Sequence, residues 1–220
     1  MRTHPVFLRL EGRRCVVVGG DDAAAAKVRA CVASGARVTV VATDTTPAME
    51  AACLADGVTR QRRPYRDGDL AGAVLAYAST REPALVRALR AEAERERVLL
   101  NVIDDPEASS VFSSAVLTRG DLHVAIGTGG ASPALAARLR RELEGRIGPE
   151  YGDYVAILGA VRGRLDDGAE RVAVMRRLVD SELLDLVRRR EYEAIDALLV
   201  RVAGEGCTLG RLAIGLRGEG

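Results

Sequence analysis

The sequence predicts an α/β fold with a doubly wound parallel sheet in its first half, and three observations carry that expectation. Short continuous apolar runs alternate with amphipathic helical patterns up to about residue 112, as strands do when crossover helices bury both their faces. The first apolar run ends in a glycine pair that opens an Ala-rich helix, the layout of a dinucleotide-binding βα unit. Beyond these elements the rhythm changes to a hairpin pattern and then to helix alone.

The elements follow in order. Arg14 to Val18 is a β-branched run that stops at Gly19-Gly20. Ala23 to Ala33 is helical, with Ala24, Val28, Cys31 and Val32 on one face, and ends at Ser34-Gly35. Val38 to Val41 forms a second strand, and a weaker helix runs from Pro47 to Ala55. Ala73 to Ala78 and Val98 to Val102 are two more buried strands, separated by a helix that carries Leu85, Val86 and Leu89 and has Pro83 near its start. Ser114 to Arg119 and Leu122 to Ile126 flank Gly120-Asp121, a hairpin turn signal. After Gly127-Thr128-Gly129-Gly130, Ser132-Pro133 supplies an N-cap and a proline at the first helical position. They open a basic helix through Leu143. Tyr154, Ile157, Leu158, Val161 and Leu165 keep helical spacing, as do Ile195, Leu198, Leu199 and Val202. The stretch from Gly204 to Gly220 is Gly-rich and is expected to be loosely held.

Composition narrows the function. Hydrophobic residues are 48% and charged residues 29% of the 220, which is globular rather than disordered. Basic and acidic residues number 32 and 31, for a formal charge of +1. No cationic excess exists to drive binding to a phosphate backbone, and aromatics at 3% leave no stacking platform, so no nucleic-acid partner is expected. No apolar stretch reaches membrane-span or signal-peptide length, so a cytoplasmic protein without a membrane partner is expected. Cys15, Cys31, Cys53 and Cys207 are widely spaced and read as inert thiols, and no metal site is expected.

The glycine turn departs from the dinucleotide fingerprint. Gly19 and Ala24 fit the first and third positions, but Asp21 stands at the second, where a bare backbone lets the pyrophosphate approach. A helix N-terminus attracts anions, so this carboxylate is expected to weaken cofactor binding. Asp22 reads as the helix N-cap, whereas no structural need for Asp21 is evident. No acid closes the second strand, which is followed by Ala42, Thr43 and Asp44. The candidate cofactor-binding set is therefore Gly19, Gly20, Asp21, Asp22, Ala23, Thr43 and Asp44.

Several segments together carry a family resemblance. They are His4 to Arg13, Val17-Val18-Gly19-Gly20, Lys27, Asn101-Val102-Ile103-Asp104-Asp105-Pro106, and Ala125 to Ala136. Across about residues 4–145 the chain resembles the precorrin-2 dehydrogenase/sirohydrochlorin ferrochelatase family, which includes the N-terminal half of the fused bacterial sirohaem synthase. The resemblance implies NAD as cofactor and oxidation of precorrin-2 to sirohydrochlorin, followed in many members by insertion of ferrous iron. It also implies a homodimer. With the element pattern it gives a three-part organisation: a Rossmann-type NAD-binding domain over 1–112, a segment over 113–148 that the resemblance makes an interlocking dimerisation element, and a helical C-terminal domain over 149–220. Asp104 occupies the family's catalytic carboxylate position. Thr128 stands where many members carry Ser, Asp21 replaces the usual Gly, and Ser114 stands where Pro is common.

The chemistry asks for a proton acceptor and for cations facing a polycarboxylate macrocycle. Asp104 follows a strand at the sheet edge where open α/β folds bind ligands; it is either the base or a turn-forming residue, with Asp105 the better turn candidate. Arg138, Arg140 and Arg141 on the basic helix, and Arg119 in the hairpin, match carboxylates, or form a solvated face paired with Glu142 and Glu144. Thr128, Gly129 and Gly130, with Arg138 and Arg141, form the candidate substrate-binding set; the Gly-rich segment reads equally as a turn. His4 and His123 read as packed or surface residues rather than ligands. Two other readings compete with the enzyme: a non-catalytic nucleotide- or tetrapyrrole-binding sensor or carrier, and a generic ligand-sensing domain with a helical tail.

Overall fold

The computed structural model describes residues 2–215. The chain divides into two compact units, one closing at Ser113 and the other opening at Ser114.

The first unit is built on strands β1 (Arg14–Val18), β2 (Arg37–Val41), β3 (Val58–Gln61), β4 (Leu75–Ala78) and β5 (Leu99–Val102), in the order β3-β2-β1-β4-β5 and all parallel. Helices α1 (Asp22–Ala33) and α2 (Pro47–Ala52) cover one face, where Cys15, Val17, Val38 and Val40 meet Ala24, Val28 and Met49. Helix α3 (Pro83–Glu96) covers the other, with Leu89 and Ala93 against Val16, Ala76, Leu100 and Val102. The run Cys15 to Val18 is buried on both sides, which is why it reads as continuous rather than alternating. Strand β3 has no counterpart in the sequence reading. Its residues Val58-Thr59-Arg60-Gln61 sit at a sheet edge, where one flank faces water and the apolar signal fades.

The opposite edge, β5, is sealed by the chain itself. Residues 109–111 fold back along it: Ser110 N–H donates to Leu100 O, and the hydroxyls of Ser110 and Ser109 accept from Leu100 N and Val102 N, each at 2.9 Å. Serine oxygens thus stand in for the missing neighbouring strand. On α3 the fully buried Glu92 accepts from Leu70 N at 2.7 Å and from the Tyr65 hydroxyl. That acid fastens the long β3–β4 connection to the helix.

The second unit begins with an antiparallel hairpin, β6 (Ala115–Arg119) and β7 (Leu122–Ile126), turning at Gly120-Asp121 as expected. Helix α4 (Pro133–Glu144) starts at the anticipated cap: Ser132 accepts from Leu135 N at 3.2 Å and Pro133 takes the first turn. Helices α5 (Glu150–Arg164), α6 (Ala169–Val179), α7 (Leu183–Arg189) and α8 (Tyr192–Ala203) enclose a core of Ile157, Val161, Leu178, Leu183, Ile195 and Leu199. The expectation of a loose tail from Gly204 onward needs correction. Cys207, Leu209 and Leu212 are buried in this core, and Leu209 N–H donates to Asp196 Oδ1 at 2.6 Å. Apolar residues among the glycines hold the segment down; positions 216–220 lie outside the described residues. No described helix is long and apolar enough to cross a membrane.

Candidate functional site

The C-terminal edge of the parallel sheet gathers the predicted cofactor residues. The turn after β1 is squeezed between two neighbouring loops. A Cβ on Gly20 would lie 1.9 Å from Asp44 O, and one on Gly19, at φ +123°, would lie 2.8 Å from Ser79 O. Thr46 N–H donates to Gly20 O at 2.9 Å and Gly19 N–H to Val41 O at 3.0 Å. The glycine pair is thus required by the convergence of three βα loops, whatever binds there.

The roles of the two aspartates that follow are the reverse of expectation. Asp21, not Asp22, is the N-cap of α1: its Oδ1 accepts from Ala24 N at 2.8 Å, and its Oδ2 accepts from Ser79 Oγ at 2.5 Å. Asp22 is the first helical residue. The capping geometry selects Asp21 because its extended backbone (φ −84°, ψ 178°) aims the carboxylate at the helix's third N–H. Asp21 therefore has a structural role. The N–H groups of Asp22 and Ala23 keep no acceptor among the described residues, as the first turn of a helix leaves them.

Those two N–H groups, beside Gly19 and Gly20, fit a dinucleotide phosphate; Asp21 sets an exposed carboxylate next to them. Asp44 lies against Gly20 through its backbone, and Thr43 is exposed in the same loop.

Asp104 lies just past β5 on the same edge, in the left-handed region at φ +63°. Aspartate tolerates that region better than most non-glycine residues, and neighbouring hydrogen bonds fix it there. Ile103 N–H donates to Ala78 O at 2.8 Å, Asp105 N–H to Val102 O at 3.1 Å, and Ser109 Oγ to Asp105 O at 2.7 Å. Asp105 is the turn residue, its Oδ1 accepting from Ala108 N at 3.0 Å. The Asp104 side chain is exposed and accepts no hydrogen bond among the described residues.

Lys27, Tyr77 and Ser113 did not enter the predicted set. Lys27, half-buried on α1, donates to Ser113 Oγ at 2.9 Å and lies 5.4 Å from the centre of the Tyr77 ring. Burial holds its ammonium below the usual lysine value, partly offset by Cys31 and Asp104. Burial likewise pushes the Tyr77 phenol up, opposed by its hydrogen bond with Ser113. A signal was available: of the 32 basic residues in the chain, Lys27 is the one lysine.

The substrate candidates belong to the second unit. Thr128 Oγ1 accepts from Ser132 N at 3.1 Å and Thr128 O from Ala131 N at 3.0 Å, so Thr128, Gly129 and Gly130 form a closed turn ahead of α4. Arg138 pairs with Glu142 at 2.7 Å and Arg140 with Glu144. Arg119 is spent on Ile147 O at 3.0 Å. Arg141 is exposed, with no partner among the described residues.

Thiol and metal chemistry are quiet. Cys15, Cys31 and Cys207 are buried, and the Cys31 thiol is pushed far up by its hydrogen bond with Cys15 and by burial. No group of three or more His, Cys, Asp or Glu able to hold a metal occurs among the described residues.

Comparison with known proteins adds a second line. Residues 6–115 match a family model described as "Putative NAD(P)-binding", and residues 119–146 match "Sirohaem biosynthesis protein central". The chain is 35% identical over 213 residues to a sirohaem synthase of Chromobacterium violaceum, covering 94% of this chain and 45% of that one. It is also 35% identical over 196 residues to sirohaem synthase of Escherichia coli, covering 87% and 43%. The chain therefore spans less than half the length of these relatives. Among solved structures, SirC, a precorrin-2 dehydrogenase, superposes with a TM-score of 0.68 over 89% of this chain and 100% of its own, at 24% identity. That likeness establishes a shared fold.

Proposed function

Because the chain belongs to the NAD(P)-binding family that its residues 6–115 match, we propose that it is a dehydrogenase that oxidises precorrin-2 to sirohydrochlorin with NAD. The observation that carries this reading is Asp104: an exposed carboxylate that accepts no hydrogen bond among the described residues, held at φ +63° on the ligand-binding edge of the sheet. The sirohaem-type segment over 119–146 supplies the substrate class.

In this reading Gly19, Gly20 and the N–H groups of Asp22 and Ala23 receive the cofactor's phosphates, with Thr43 and Asp44 beside its ribose. When bound, the cofactor accepts the hydride that the macrocycle loses. Asp104 takes the accompanying proton, and its lone pairs are available because no protein donor occupies them. Within the second unit, the turn of Thr128, Gly129 and Gly130 with Arg138 and Arg141 is the candidate for carboxylate recognition; Arg141 has no partner among the described residues, whereas Arg138 is held by Glu142. Asp104 is also the group that would accept pyrrole protons if ferrous iron, as a substrate, is then inserted.

The segment 113–148 is proposed as the dimerisation element, ahead of a helical domain over 149–220. Val116 on β6 and Leu135 and Leu139 on α4 are 45%, 47% and 37% exposed, and in the hairpin only Leu117 is buried. A second copy covering that apolar surface gives an obligate homodimer. Light scattering at micromolar concentration should find no stable monomer. We place the protein in the cytoplasm, where free thiols persist, with neither nucleic acid nor membrane as partner.

The test is absorbance of the purified protein mixed with precorrin-2 and NAD, repeated with NADP. Sirohydrochlorin formed faster with NAD supports the reading. Tetrapyrrole or nucleotide binding without product would favour the sensor or carrier that Asp21 alone suggests.

A further inference from the structure

Lys27 is the unexplained charge at this edge. Of the 32 basic residues in the chain, one is a lysine, at position 27. Its place is also unusual. Helical side chains lean toward their helix N-terminus, and the N-terminus of α1 lies at the C-terminal edge of the sheet, so Lys27 leans toward the edge that bears Asp104. There Ser113 Oγ accepts one of its protons at 2.9 Å and the Tyr77 ring lies 5.4 Å away. An ammonium has three donors, and no carboxylate among the described residues comes within 4.0 Å of this one. A half-buried cation with donors to spare is costly unless an anion joins it.

We propose that Lys27 is a substrate-positioning residue, its ammonium receiving a carboxylate of the tetrapyrrole beside Asp104. The cofactor's phosphates are the other anions nearby, but they belong to the first turn of α1, whereas Lys27 is directed to Ser113 and Tyr77. A lysine suits the spot better than an arginine because one hydroxyl and one ring seat a compact ammonium, not a planar five-donor fork. The proposal rests on the dehydrogenase reading above, and the test separates the two.

The experiment compares the parent protein with Lys27→Gln, Lys27→Arg and Ser113→Ala, measuring kcat and KM for precorrin-2, direct NAD binding, and thermal unfolding. An inactive parent would sink the dehydrogenase reading and this inference with it. With an active parent, Lys27→Gln should raise KM about 10–100-fold, the range of one hydrogen bond to a charged group. Its kcat and NAD affinity should change little. Lys27→Arg should recover part of the loss, and Ser113→Ala should cost only a few-fold. An unchanged KM in folded Lys27→Gln overturns the proposal. So does a loss confined to NAD affinity, which would assign the anion to the cofactor, and so does a fall in kcat alone. If Lys27→Gln fails to fold, Lys27→Arg and Ser113→Ala decide: parental KM in both overturns it.

Discussion

Two aspartates stand on one edge of the same sheet and have opposite surroundings. Asp21, after β1, is tied by Ala24 N–H and Ser79 Oγ, one donor to each carboxylate oxygen. Asp104, after β5, sits in the left-handed region at φ +63° with no donor on its carboxylate among the described residues. Similar position in a βα-type turn therefore predicts nothing about role. What separates a structural acid from a reactive one is whether the protein has already spent its lone pairs. Asp21 caps a helix, whereas Asp104 keeps the free lone pairs that the proposed proton acceptor needs.

The comparison breaks first at Asp104. Asp104→Ala should reduce sirohydrochlorin formation by about 10²–10⁴-fold, as loss of a positioned acid–base group does, with NAD affinity and dimerisation intact. Its neighbour Asp105, bonded to Ala108 N, should behave like Asp21's kind: Asp105→Ala should cost about 1 kcal/mol of stability and little turnover. Steady-state assays and denaturant melts on both variants check this pair, and near-normal turnover by folded Asp104→Ala would remove the residue from the mechanism.

Glu92 is the extreme of the saturated class, fully buried with Leu70 N–H and Tyr65 hydroxyl on its two oxygens. Glu92→Leu strands both donors and should destabilise by about 2–4 kcal/mol, read as a lower urea midpoint. Activity per folded molecule should be unaffected.

Asp21→Gly should bind NAD about tenfold more tightly, since it removes ~1–2 kcal/mol of repulsion between carboxylate and phosphate near the surface. Replacing an aspartate cap by glycine costs only a few tenths of a kcal/mol of helix stability. Calorimetric titration of parent and variant measures the difference; equal or weaker binding would mean that the Ser79 tether already keeps the carboxylate clear of the phosphates.

The smallest effect is expected at Asp69, an acid tied by a bidentate Arg63 at 2.6 and 2.8 Å. That hydrogen-bonded guanidinium holds its carboxyl below the usual aspartate range. The folded value is depressed, so the contribution is complete above the unfolded value of about 4 and is lost as pH falls through the folded value. Melting temperatures from pH 6 down to pH 3 should fall more steeply for the parent than for Asp69→Asn.

The buried strands β1, β2, β4 and β5, the hairpin at Gly120-Asp121 and the Ser132-Pro133 helix start were legible in the sequence, because each rests on local chemistry: apolar continuity, turn residues and capping. The sequence also singled out Asp104 through its place after a strand and a family resemblance. Tertiary structure alone decided the rest. The polar edge strand β3 forms only because β2 offers it hydrogen bonds. Asp21 rather than Asp22 is the cap because its backbone is extended, and Ser79 from a distant loop holds its second oxygen. The Gly-rich C-terminal segment is held because a core of four helices needs Cys207, Leu209 and Leu212. Lys27 acquired its environment from Tyr77 and Ser113, which lie far from it in sequence. Local propensity is written in neighbouring residues, whereas the partners that satisfy or withhold a hydrogen bond are supplied by folding.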